Sequence, residues 1–416
     1  MTRSAITAAL ILTTAAALFL VGDSARNGCL WDSDTLRAEA AGAPGMVETI
    51  VGRFDRFPPL YYEMRLERAA ADVAASPADL AAYDDAAVAC DRLGRYDEAI
   101  TWMARKHAAL DVMPGTTANA DERAEHEYRY LANLGTFHVH RWLASGADRS
   151  NMADVERSRD LIDQAITLNP DAHFGRERYQ LMAIDWILEP PYRAPSSTTP
   201  SAILEVEPTL MTSQGSLRHG QLEGHDYADA PVGFAGLVSL GNAWNSFDVF
   251  FTLGAALQGT ADSSIATLAW LRSEEISQAG GRSLHPGVDA SGFQAIDYAG
   301  RYLSSTSGLE RFYQKARAEA DAWHAARTAY VTARLEQGQH PDTHPDFFAA
   351  WVEPSTMPAL PNGLFGLGGF DRATARVGLV VGGFVLLLLA CSLTLLIRLV
   401  RRRTARSVAR GPVPTA

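Results

Sequence analysis

Across 416 residues, 47% hydrophobic and 20% charged side chains give a chain able to bury one large core or two modest ones. The net charge of −11 conceals an uneven distribution, because once the six Arg of 398–416 and Arg3 are set aside the remaining body carries −18. Phosphate backbones repel such a body, which excludes nucleic acid as a partner, and three cysteines in unrelated contexts exclude a disulfide framework.

In chain order, residues 1–22 follow Arg3 with an apolar run and predict a signal peptide or an N-terminal anchor. Cys29 comes shortly after, but Arg26 and Asn27 stand where a lipidation motif wants small or aliphatic residues. Residues 23–188 are patterned as helices. Short ones are expected in SDTLRAEA and MVETIVGRF, a longer one over 58–76, and another from about Pro77, with Ser76 as its cap. Further helices are expected over 96–110, 120–144 and 154–168, and one ends near Leu188. Residues 189–230 open with EPPYRAPSSTTP and read as a linker and irregular segment. A second helical region spans 231–352 and ends in a long Ala-rich helix over 309–337.

Residues 353–375, rich in Pro and Gly, predict a flexible stalk. The uncharged run 377–397 reaches about 31 Å as a helix and matches a bilayer core. The Arg-rich tail 398–416 that follows is the cationic flank that stays in the cytoplasm. The sequence therefore predicts a protein of the plasma (inner) membrane with its body outside the cytoplasm and, if the leader is cleaved, a single span.

The stretch YDDAAVACDRLGRYDEAI carries the most specific pattern. Tyr83 is bulky, Ala86 and Ala87 are small, Cys90 follows, Gly94 sits at a turn, and Ala99 and Met103 continue on the next segment. This arrangement resembles a tetratricopeptide repeat, with the repeat-ending proline displaced to Pro114. Two weaker copies share its logic. One uses Phe250, Leu253, Gly254, Leu257, Ala266 and Trp270, and the other Leu131, Leu134, Gly135, His138, Ser158, Ile162 and Pro170. The expected fold class is all-α, stacked helical hairpins in an irregular array plus one C-terminal transmembrane helix.

The resemblance implies a concave groove lined by the first helix of each hairpin. By position that groove presents Asp84, Asp85, Val88, Asp91 and Arg92, then Arg129, Asn133, Thr136 and His140. Its acidic wall suits an extended ligand with basic side chains. The function expected is a non-enzymatic, membrane-tethered scaffold that binds an extracytoplasmic protein or peptide without a cofactor. The alternative is an extracytoplasmic metal-dependent hydrolase in which His340, Asp342 and His344 gather round an ion. No phosphate-binding glycine loop, nucleophile elbow or His-Glu-x-x-His pair is present.

Overall fold

A computed structural model describes residues 30–34, 44–113, 120–170, 176–194, 197–206, 229–259, 263–303, 306 and 308–360. The expected leader, Cys29, the span at 377–397, the Arg-rich tail and most of the stalk lie outside the described residues. Among the described residues no helix is long and apolar enough to cross a membrane. The chain divides into two compact units, Met1–Pro358 and Ala359–Ala416, and of the second only 359–360 are described.

The described part of the first unit is all-helical. Twelve α-helices are present: α1 Met46–Val51, α2 Pro59–Ala75, α3 Leu80–Arg92, α4 Tyr96–Val112, α5 Ala120–Ala144, α6 Ala153–Leu168, α7 Arg176–Leu188, α8 Ala230–Ser239, α9 Phe247–Gly259, α10 Ser263–Gln278, α11 Ala295–Ala299 and α12 Leu309–Leu335. Among these residues there is no strand, and the only pairing of β type is an isolated bridge between Ser197 and Val288.

Local chemistry sets the ends of these helices. Pro59 opens α2 in the first turn, where its missing N–H costs nothing. The cap of α3 is Asp79, which accepts from the Ala82 amide, rather than Ser76 as expected. Ser76 instead closes α2 through its own amide on the Asp72 carbonyl, and Pro77 disfavours helical geometry in the residue before it. At the α3–α4 turn Gly94 takes φ +73°, its amide reaching the Asp91 carbonyl while that of Arg95 reaches the Cys90 carbonyl. That double closure needs a left-handed residue, which glycine supplies without a steric penalty.

From α2 to α7 each helix packs on its successor, and α3 also touches α5 directly. Small residues permit the close approaches. A Cβ on Gly135 would stand 2.9 Å from Ile162, and one on Gly254 would stand 2.2 Å from Trp270 Nε1. The α3–α6 core joins Ala87, Val88, Ala99, Met103, Leu134, Phe137 and Leu161. Helix α12 packs on α1, α2 and α10, so the end of the body returns to its beginning.

Three expectations are revised here. Residues 189–194 and 197–206 are built into the unit, since Pro191 accepts from His285 and Ile203 is buried. The helical region expected over 231–352 is interrupted between α8 and α9, where Asn242 adopts φ +67°. The start of the expected stalk is tied down, because Arg53 donates to Glu353 at 3.0 Å and to the Ser355 carbonyl at 2.9 Å.

Because Trp270 fills the space above Gly254, Gly254→Ala is expected to lower unfolding free energy by about 1–3 kcal/mol through overpacking. Guanidinium titration followed by far-UV circular dichroism measures it.

Candidate functional site

Helix α2 buries one face through Tyr61, Arg65, Ala69 and Val73, four residues at a spacing of four. Three are what a core stripe requires; the fourth is an arginine with no exposed side-chain surface. Its guanidinium donates from Nε to Asp342 at 2.9 Å, from one terminal nitrogen to Asp32 at 3.0 Å and Asp34 at 2.5 Å, and from the other to Asp34 at 2.9 Å, Asp342 at 2.8 Å and the Tyr61 hydroxyl at 2.7 Å. Burial works against its charged form, but Asp34, Tyr61 and Asp32 outweigh that effect and raise its pKa above the ordinary value. Arg68, one turn on, pairs with Asp342 and reaches Asp85 at 3.4 Å.

Asp32 and Asp34 belong to residues 30–34, which lie against α2, α3 and α5. Asn133 on α5 holds this segment by its main chain: Oδ1 accepts from the Trp31 amide at 2.8 Å and Nδ2 donates to the Trp31 carbonyl at 3.1 Å. Asp85 on α3 accepts from the Ser33 amide at 2.7 Å and from its hydroxyl at 2.8 Å. Leu30 enters the cluster around Val88, while Trp31 packs edge-on to Tyr128 and beneath the Arg129 guanidinium, 5.5 Å from its ring centre. The segment thus meets Asp85, Val88, Arg129 and Asn133, four of the residues expected from the sequence to line a groove.

The acids of that groove are mostly engaged from within. Asp84 is fully buried and accepts from Lys106 Nζ at 2.7 and 2.6 Å and from Asn133 at 3.2 Å. Burial raises the Asp84 pKa and lowers that of Lys106, each against the pull of its partner. Asp91 accepts from His140 Nδ1 at 2.8 Å. Arg92 donates to the Leu240 carbonyl, and Arg129 is held by Glu125 at 2.8 Å. The Thr136 hydroxyl donates to the Ala132 carbonyl.

Of the nine expected groove residues, Asp85, Val88, Arg129 and Asn133 meet around 30–34, with Asp84 directly beneath. Asp91, Arg92, Thr136 and His140 turn elsewhere. The cations that meet the segment are Arg65 and Arg129. Sequence reading missed Arg65, Arg68 and Lys106, although arginine at the second position of the 61, 65, 69, 73 stripe was a visible signal.

His340, Asp342 and His344 do not form a metal centre. Among the described residues no group of three or more His, Cys, Asp or Glu is placed to hold an ion. The loop's polar atoms are committed: His340 Nε2 donates to the Tyr61 carbonyl, its Nδ1 accepts from the Asp342 amide, and the Asp342 carboxylate is taken by two arginines. His344 Nδ1 lies 2.9 Å from the Thr343 hydroxyl.

Lys106→Met leaves the Asp84 carboxylate buried without its cation, and is expected to cost about 3–5 kcal/mol in urea unfolding. Adding Asp84→Leu should recover most of that loss. His126 is held down to about 3 by burial and by the Lys106 and Arg129 charges, so folding favours its neutral ring. That contribution is complete above pH 6.5 and is lost as pH falls toward 3; between pH 7 and 5 it is worth about 1–2 kcal/mol. Urea midpoints at the two pH values should therefore differ less in His126→Phe than in the wild type.

Comparison with known proteins returns no matching family model, no similar curated protein and no similar solved structure.

Proposed function

We propose that the protein is a peptide-binding scaffold of tetratricopeptide type, whose groove recognises an extended segment carrying an aromatic residue followed by acids. The observation that supports this most directly is the two-point hold of Asn133 on the main chain of Trp31. An amide that satisfies both polar groups of one residue recognises backbone without regard to side chain. Specificity then falls to the pocket beneath Arg129, which accepts the indole, and to Arg65, which accepts carboxylates. Residues 30–34 are, in this reading, a tethered occupant that an outside ligand replaces.

The partner is a protein or peptide outside the cytoplasm. The apolar run 377–397 and its Arg-rich flank hold the scaffold at the plasma membrane, which raises the local concentration of whatever it binds. Binding rather than catalysis is favoured because the carboxylates near the groove are engaged by Lys106, Arg65, Arg68, Ser33 and His140. A tethered occupant acts at an effective concentration on the order of millimolar, so an outside ligand must surpass it by contacts the short segment lacks.

The test uses full-length protein in nanodiscs and a fluorescent peptide of sequence LWDSDTL. In the Trp31→Ala/Asp32→Ala/Asp34→Ala variant, which weakens the tethered occupant, micromolar binding is expected by anisotropy. The wild type should bind much more weakly, and adding Asn133→Leu to the triple variant should abolish binding. Equal binding by wild type and triple variant, or binding that survives Asn133→Leu, would place the peptide elsewhere and end this reading.

A further inference from the structure

Away from the peptide groove, a cavity of 420 Å³ opens among α5, α7, α9 and the turn before α9. That is within the size range of small-molecule sites. Its wall is chiefly apolar, with Val139, Ile184, Trp186, Leu237 and Val249 contributing side chains. Asn242 and Asn245 line it from exposed positions and Ser246 from a half-buried one, whereas Gln180 and Asp248 are buried acceptors. Gln180, 6% exposed, donates its amide nitrogen to Thr136 at 2.8 Å, and its Oε1 has no hydrogen-bond partner. His140, which also lines the cavity, faces the Asp91 carboxylate with Nδ1 at 2.8 Å.

Asp248, 2% exposed, completes the set. Its carboxylate accepts from the Ser283 hydroxyl at 2.6 Å and the Leu284 amide at 2.8 Å, which leaves acceptor capacity on both oxygens. Burial lifts its pKa to about 6, against the pull of those two donors, so it remains largely ionised at neutral pH. Arg282 also lines the cavity, but its side chain is exposed to solvent. A buried acceptor without a donor is costly, and water or a ligand must supply what the protein does not.

We infer that this cavity is a binding site for an amphiphilic amine, with its apolar body against the α5 and α7 walls and its N–H groups given to Gln180 and Asp248. A carboxylate fits poorly, since it brings acceptors to acceptors and negative charge toward Asp248. A purely apolar molecule fills the volume but leaves Gln180 Oε1 unmet. The site is independent of residues 30–34, none of which lines it.

Calorimetry on full-length protein in nanodiscs, blanked against empty nanodiscs, tests it with three probes that share an indole body: tryptamine, 3-ethylindole and indole-3-propionate. Tryptamine is expected to bind about tenfold more tightly than 3-ethylindole, the scale of one charge-assisted hydrogen bond, with indole-3-propionate the weakest. Gln180→Leu should weaken tryptamine alone, whereas Ala183→Trp, which fills the cavity, should abolish binding of tryptamine and 3-ethylindole alike. The inference is overturned if none of the probes binds, if the acid binds as well as the amine, if Gln180→Leu weakens tryptamine and 3-ethylindole equally, or if Ala183→Trp leaves binding intact.

Discussion

A guanidinium removed from water must be neutralised and must place every N–H on an acceptor, or it costs several kcal/mol. Arg65 meets that demand only by drawing together three parts of the chain: Asp32 and Asp34 from its beginning, Tyr61 from its own helix, and Asp342 from beyond α12. The path of the segment across the groove and the return of the loop after α12 both follow from this one requirement. Apolar packing alone would tolerate several positions of residues 30–34. Ionic contacts of fixed geometry tolerate far fewer.

The same division of labour recurs along the array. Hairpin cores are made of small and medium apolar side chains, and buried ionisable pairs sit where neighbouring helices meet: Asp84 with Lys106 between α3 and α4, Asp91 with His140 between α3 and α5. Such pairs add little net stability compared with apolar residues of the same volume, but a shifted register would strand each charge. In a stack of similar hairpins, where any helix can pack acceptably on several others, that penalty helps select one arrangement.

The helices were readable because the apolar stripes and the turn residues agree. The 120–144 helix was placed at its observed bounds, and Gly94 closes the turn where expected. Ser76 misleads because two residues with capping ability, Ser76 and Asp79, stand on either side of Pro77-Ala78, and the proline decides between them. Position along the first helices names Asn133 and Asp85, and the structure brings both to residues 30–34. What periodicity cannot carry is which acids are neutralised internally, since Lys106 comes from the opposite helix of the hairpin and Arg65 from the preceding one. Nor does any local pattern show that residues 30–34 turn back onto α5, a contact 102 positions away.

The bond between Arg65 and Asp342 spans 277 positions, and this separation has a temporal meaning. A chain emerging from its N-terminus presents Asp32, Asp34 and Arg65 early, whereas the carboxylate that occupies the guanidinium's Nε arrives only when nearly all of the body has been made. Until then Arg65 is short of an acceptor, while residues 30–34 already have Asp85 and Asn133 to rest on. Arg65 therefore registers completion of the body: its set of acceptors closes last, through a residue 277 positions away, and a chain halted before position 342 leaves its Nε unmatched.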